Sequence, residues 1–309
     1  MTDPRAGRLM LLDTASMYFR AFYGVPEISA PDGTPVNAVR GLLDFISRLV
    51  GDYRPTDLVC CWDNDWRPQW RVDLLPSYKG HRVEAERTGA PDVEEVPDPL
   101  QVQIPIILDV LDAFGICVVG ADGYEADDVI GSFAAQAGQP VDIVTGDRDL
   151  FQLVDDEADV RVLYIARGVG NHERVTNDWV RAKYDIDARQ YADFATMRGD
   201  ASDGLPGVPG VGEKTAATLL GRFGDMDGII AASLDPDTDM GPGPRGKIKA
   251  AAAYLEVAPA VVAVARDIDL GSPDTRLPRE PRDLARVAEL GIHWGIESPV
   301  QRLTEVLGG

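Results

Sequence analysis

Residues 141–149 read VDIVTGDRD, an apolar run from Val141 to Val144 that stops at Thr145-Gly146-Asp147. Three more short apolar runs end the same way: Leu9 to Leu12 before Asp13, Leu58 to Trp62 before Asp63, and Ile116 to Val119 before Gly120. Runs of this length that end in an acid or a glycine read as strands. Helix-period patterns lie between them, at Val39 to Val50, Gln103 to Phe114 and Asp127 to Ala137. The alternation predicts an α/β domain with a largely parallel sheet flanked by helices and buried on both faces. Such sheets bind ligands beyond the carboxyl ends of their strands, which is where Asp13, Asp63 and Asp147 fall.

Nine acids in five stretches form the candidate site: Asp13; Asp63; Glu125, Asp127 and Asp128; Asp147 and Asp149; Asp200 and Asp203. Gathered in one crevice they would repel one another and lose hydration, so such a cluster calls for hard divalent cations. Each stretch has an ordinary explanation by itself. Glu125 and Asp128 share a helix face, and acids favour a helix N-terminus. Asp147 and Asp149 alternate just past a strand, and turn residues would explain either one. Asp200 and Asp203 are a turn apart if helical, and an Asx turn into a helix would account for one of them. An Asp-x-Asp nucleophile at Asp13 is disfavoured because Thr14-Ala15-Ser16 follows it. The conjunction of all five carries the argument, and it points to metal-dependent cutting of phosphodiesters.

The 309 residues, 45% of them hydrophobic, suffice for one large domain or a domain with a smaller appendage. A net charge of −21 excludes nucleic-acid binding through overall charge, because non-specific affinity comes from Lys and Arg neutralising phosphates. Any DNA grip is therefore local. Cys60 and Cys61 are neighbours in one apolar run and Cys117 sits in another, which suits buried thiols in a reducing cytoplasm rather than a disulfide framework. The N-terminal apolar run is too short for a secretory or membrane segment, so a soluble, cytoplasmic protein is expected.

Two features suggest where nucleic acid would be held. Gly207-Val208-Pro209-Gly210-Val211-Gly212 precedes Glu213-Lys214-Thr215 and a helical pattern to Phe223, so a tight glycine turn offers backbone N–H groups at a helix start. Glu213 separates Gly212 from Lys214, which argues against a Walker loop. A plain structural turn remains open. Near the acidic, Pro-rich stretch Arg82 to Pro99, a mobile loop or arch, Arg71, Lys79 and Arg82 accompany Tyr78 and offer cations beside an aromatic face. Tyr18, Phe19, Phe22 and Tyr23 recur at near-helical spacing and fit a core, while Arg20 could face the site. His81, His172 and His293 are isolated from one another. Further helical patterns are expected at Lys247 to Val257, Leu284 to Leu290 and Pro299 to Leu307.

Taken together, LLDTASMYFRAFYGVP, YKGHR, GYEADDVIGSF, TGDRDLFQL and GDASDGLPGVPGVGEKTA closely resemble the bacterial 5′ nuclease family, the 5′-to-3′ exonucleases and flap endonucleases related to the nuclease domain of DNA polymerase I. The resemblance implies a PIN-like core over residues 1–198, including a helical arch at about 70–100, and a helical subdomain over 199–309 with a helix–three-turn–helix element. It implies that all nine acids bind metal, with two Mg²⁺ or Mn²⁺ ions and Asp127 bridging, and that a potassium ion sits on the hairpin carbonyls. Lys79 and Arg82 match the basic arch positions that approach the scissile phosphate, so Lys79, Arg82, Asp127 and Asp147 become the catalytic candidates. Arg20, Arg71, Tyr78, Lys79, Arg82, Gly207, Gly210, Gly212, Lys214 and Thr215 become the DNA-contact candidates. The implied protein is a stand-alone monomer acting on 5′ flaps, nicks or gaps in replication and repair, with RNA–DNA hybrid 5′ ends as a further substrate class and no membrane partner. Gly204 departs from the family's usual Asn. A non-catalytic paralogue that binds branched DNA is the alternative, and an RNA-directed PIN-type ribonuclease a weaker one.

Overall fold

The computed structural model describes residues 7–83, 94 and 96–309. Chain order begins β1 (Leu9–Asp13), α1 (Thr14–Gly24), α2 (Asn37–Tyr53), β2 (Asp57–Trp62), α3 (Gln69–Leu74), α4 (Asp98–Gln101), α5 (Gln103–Phe114) and β3 (Cys117–Gly120). It continues α6 (Ala126–Gln136), β4 (Val141–Thr145), β5 (Val160–Tyr164), β6 (Glu173–Val175), α7 (Asn177–Tyr184) and α8 (Tyr191–Arg198). The later helices are α9 (Glu213–Phe223), α10 (Met226–Leu234), α11 (Pro242–Ala250), α12 (Ala252–Val262), α13 (Leu284–Trp294) and α14 (Glu297–Gly308).

The strands form one sheet in the order β3-β2-β1-β4-β5-β6, parallel except for the antiparallel edge strand β6. Side chains alternate across a strand, and β1 shows why its sequence is apolar up to Asp13. Leu9 and Leu11 enter a core shared with α6 and α9 to α12. Met10 and Leu12 enter a second core with α2, α5, α13 and α14. The first core runs without a break from Val141 and Ile143 to Val211, Leu219 and Leu255, and α9 and α12 join it by packing on α8. Residues 261–277 then return to the core as a strap, and Leu58 N donates to Thr275 O at 2.8 Å while Leu277 N donates to Thr56 O at 2.9 Å.

The expected parallel α/β architecture is present, with differences in detail. β5 and β6 are additional, and a charge hides β5 in the sequence. Arg161 interrupts its apolar run yet donates from Nε to the fully buried Asp142 of β4 at 2.7 Å, beside Arg8 at 2.8 Å. The helix expected over Lys247 to Val257 is two helices, broken where Ala251 leaves helical geometry at φ −94, ψ 10. Much of the expected arch, residues 84–93 and 95, lies outside the described residues. Glu94 forms a bridge with Val83.

Candidate active site

The strand order reverses between β1 and β4, since β2 and β3 extend one way and β4 to β6 the other. Reversal points of this kind leave a crevice at the carboxyl ends of the strands. Here a cavity of about 460 Å³ opens there, lined by Asp13, Asp63, Glu125, Asp127, Asp147 and Asp200, with Lys79, Arg82 and Arg148. A second cavity, of about 20 Å³, adjoins it through Glu125 and Asp127 and adds Asp149 and Asp203. Eight of the nine predicted acids thus line two cavities with Glu125 and Asp127 in common.

Local structure aims each carboxylate. Asp13 ends β1 and caps α1, accepting from Ser16 N at 3.0 Å and from the Thr145 hydroxyl of β4 at 2.7 Å. Burial, with the charges of Asp63 and Asp147 adding, pushes its carboxyl up to about 7. Asp63 follows β2 and accepts from Ala126 N at 2.8 Å; burial raises its carboxyl too. Glu125 is extended at φ −85, ψ 164 and caps α6 in a reciprocal capping box with Asp128. Glu125 is therefore off the helix, and the expected face shared by Glu125 and Asp128 is replaced by this box. Asp127, inside the first turn, points to the cleft, where burial and then Asp13 and Asp147 hold its carboxyl far above the usual range. Asp149 donates from its own N–H to Asp147 Oδ1 at 2.8 Å. Its carboxyl is also raised by burial and by Asp147, and Oδ1 is buried without a protein partner.

The loop carrying Asp200 and Asp203 docks on the basic segment. Lys79 N donates to Asp203 O at 3.0 Å, and Arg82 Nη2 donates to Ser202 O at 2.8 Å and Asp203 Oδ1 at 2.9 Å. Burial raises the Asp203 carboxyl against the pull of Lys79 and Arg82. At Asp200 burial pushes upward, but Ser202, Arg198 and Arg148 outweigh it and hold the carboxyl below its ordinary value. Gly204 has φ +71, and a Cβ there would stand 2.0 Å from Ser77 O. The departure from Asn thus goes with a backbone-to-backbone approach that a side chain would block in this arrangement.

Three predicted residues have other duties. Asp128 is fully buried, outside both cavities, and both of its oxygens accept from Arg71, at 2.7 and 2.8 Å; Ala265 N of the strap adds a third bond at 2.8 Å. It lines neither cavity, so this arrangement lends no support to its expected place among the metal ligands. Arg71, expected on DNA, is only 2% exposed and joins Asp128 to Glu125 Oε2 at 2.5 Å and to the strap carbonyl of Val261 at 3.1 Å. Tyr78 is 5% exposed, with its hydroxyl on Glu125 Oε2 at 2.6 Å, so its ring is not a platform for bases. Lys79 Nζ pairs with the other Glu125 oxygen. Among the described residues no three His, Cys, Asp or Glu side chains stand close enough together to hold a metal ion.

The remaining candidates divide by exposure. Arg20 is half-buried, with Nη2 3.5 Å from where a Cβ on Gly146 would lie. Phe19 borders the cleft, whereas Tyr18 is buried and Tyr23 is 71% exposed. In the hairpin Gly207 is buried, Thr215 is half-buried, and Gly210, Gly212 and Lys214 are exposed. Thr145, Ser16, Trp66, Glu94, Arg148 and Tyr164 also belong to the site or its supports. Of these, Arg148 carried a signal in its position between Asp147 and Asp149.

Fit to divalent cations rests on this chemistry: carboxylates held charged only at a cost, an orphaned buried oxygen, and an ion-sized space beside them. Comparison with known proteins gives the family. Residues 8–185 match the 5′-3′ exonuclease N-terminal resolvase-like domain and residues 186–285 the 5′-3′ exonuclease C-terminal SAM fold. A 5′-3′ exonuclease of Streptomyces coelicolor is 60% identical over 96% of this chain and 99% of its own length. One of Mycobacterium tuberculosis is 52% identical, covering 97% of each chain. A solved T5 5′-exonuclease with bound zinc has the same fold, with TM-score 0.63 at 20% identity over 97% of this chain and 99% of that one.

Proposed function

The chain belongs to the 5′-3′ exonuclease family, and on that premise we propose that it is a structure-specific 5′ nuclease cutting DNA at 5′ flaps, nicks or gaps with two Mg²⁺ or Mn²⁺ ions. Eight acids from five separate parts of the fold lining two cavities that share Glu125 and Asp127, with Lys79 and Arg82 beside them, is the observation that carries this reading.

Asp13, Asp63, Glu125 and Asp127 would hold one ion, and Asp127, Asp147, Asp149 and Asp203 the other. Such ions supply an activated water and neutralise charge on the leaving oxygen. The protein's own groups do the rest. The Thr145 hydroxyl and Ser16 amide fix the Asp13 carboxylate, and Ala126 N fixes Asp63. Arg71 and Tyr78 both donate to Glu125 Oε2 and so orient that carboxylate. Lys79, released from Glu125, brings positive charge to a phosphate in the cleft, and Arg82 adds a second cation at its edge. Bound downstream duplex would lie on the hairpin before α9, with exposed Lys214 in its first turn. The reading takes the protein to be a cytoplasmic monomer; among the described residues no helix is long and apolar enough to cross a membrane.

A 5′-labelled flap substrate tests it. Mg²⁺ should support cutting, chelator should stop it, and Asp147→Asn should leave the substrate intact, with the matching RNA structure measured alongside. Cutting that persists in chelator, or in Asp147→Asn, would refute the metal-dependent reading.

A further inference from the structure

A lysine of the chain itself occupies the hairpin that precedes α9. Lys247, on α11, donates from Nζ to the carbonyl of Gly210 at 2.7 Å. Its stem crosses that residue so closely that a Cβ on Gly210 would stand 3.1 Å from Nζ. Gly210 has φ +76, a conformation that side chains rarely adopt, so glycine allows both the turn and the approach of the ammonium. Neighbouring hairpin carbonyls have partners too. Val208 O accepts from Val211 N at 2.9 Å, and Gly212 O accepts from Thr215 N and Ala216 N at 3.0 Å each. A potassium ion expected here would thus have to share the Gly210 carbonyl with an ammonium of the same charge.

Charge around the hairpin points the same way. Of five lysines in the sequence, three are exposed here or in the adjoining helix, Lys214, Lys247 and Lys249. No acid occurs from Met240 to Leu255 in a chain whose net charge is −21, so this segment lacks the repulsion that would drive phosphates from most of the surface. Arg245 turns inward, donating to the carbonyls of Ala232 at 3.1 Å, Ser233 at 3.0 Å, Thr238 at 3.1 Å and Met240 at 3.2 Å. It anchors α11, and the outward charge is left to Lys247 and Lys249.

We propose that Lys247 is the hairpin's built-in cation: its ammonium pins the Gly210 turn and adds positive charge beside the start of α9, so the hairpin grips a duplex phosphodiester backbone without a bound potassium ion. The inference rests on the reading that this hairpin holds DNA. Affinity for a 5′-flapped duplex is measured in chelator, where no strand is cut, at one ionic strength in potassium, sodium or tetramethylammonium chloride. Wild-type affinities should agree within about twofold across the three salts, because equal screening leaves equal phosphate attraction. Lys247→Ala should lose about tenfold in sodium and tetramethylammonium, the scale of one charge-assisted hydrogen bond, and recover most of that in potassium. Lys247→Met, which keeps the stem without the charge, should behave like Lys247→Ala.

Wild-type binding that collapses when potassium is withdrawn overturns the proposal. So does a Lys247→Ala protein that matches wild type in every salt, or one weakened equally in all three, which would make Lys247 an ordinary phosphate contact. Lys214→Ala separates the two levels of the argument. If it weakens binding while Lys247→Ala does not, this inference alone fails; if neither changes binding, the hairpin is not the DNA site.

Discussion

Two groups of buried acids lie side by side at the carboxyl end of the sheet, and they are balanced differently. Glu125 and Asp128 are met from within by Arg71, Tyr78 and Lys79. Asp13, Asp127 and Asp149 have amide or hydroxyl partners at most, and their carboxyls are pushed upward by burial and by each other. Asp128 has its charge met by Arg71, whereas on the proposed function the unbalanced acids would be met by cations. Glu125 belongs to both groups and connects them.

Asp127→Asn should separate the two groups most widely. Cutting should fall by about a thousandfold or more, a loss typical of removing a group that stabilises the transition state. The metal-free protein should melt no lower than wild type, because a repelling charge has gone. A melting temperature that dropped along with activity would make Asp127 as structural as Asp128. Next in size is Asp128→Ala, which strands the buried Arg71 cation and should lower the unfolding free energy in urea by about 3–5 kcal/mol. An unchanged urea midpoint combined with lost metal binding would return Asp128 to the ligands.

Mg²⁺ or Mn²⁺ at a hundredfold excess over its dissociation constant should stabilise wild type by about 2.7 kcal/mol, read by calorimetry. Asp127→Asn should lose most of that gain and Asp128→Ala should keep it; the reverse pattern breaks the comparison. The smallest effect concerns pH in chelator. The Asp13 carboxyl is raised from 3.8 to about 7, so the folded state holds a proton that the unfolded state has released. Its contribution to stability is full below 3.8 and disappears as pH rises through about 7. Metal-free protein should therefore melt lower at pH 8 than at pH 5, and added Mg²⁺ should flatten that slope. A chelated protein that gained stability over the same interval would contradict the assignment.

Much of the core and most of the acid set could be read from the sequence because their signals are local. An apolar run ending in an aspartate identifies both a strand and the end where a ligand binds. Arg71 could not be read in this way. In Trp70-Arg71-Val72-Asp73 it looks like a surface cation, and its burial depends on Val261, 190 positions later. The pairing of Asp128 is hidden for the same reason, since its partners are Arg71 and the distant Ala265. Tyr78 looked like an aromatic face for bases, but only the fold reveals that its hydroxyl is committed to Glu125. The break at Ala251 was hidden by alanines that suit either a continuous or an interrupted helix.

The strap has a consequence for how the molecule comes into being. Arg71 and Asp128 leave the ribosome well before Val261 and Ala265, so during synthesis a guanidinium and a carboxylate destined for burial lack the segment that closes over them. Contacts so distant along the chain are late and slow to form. The nascent protein would then carry a sheet with its acids in place but a loosely held Glu125, becoming competent only after most of its length has been translated.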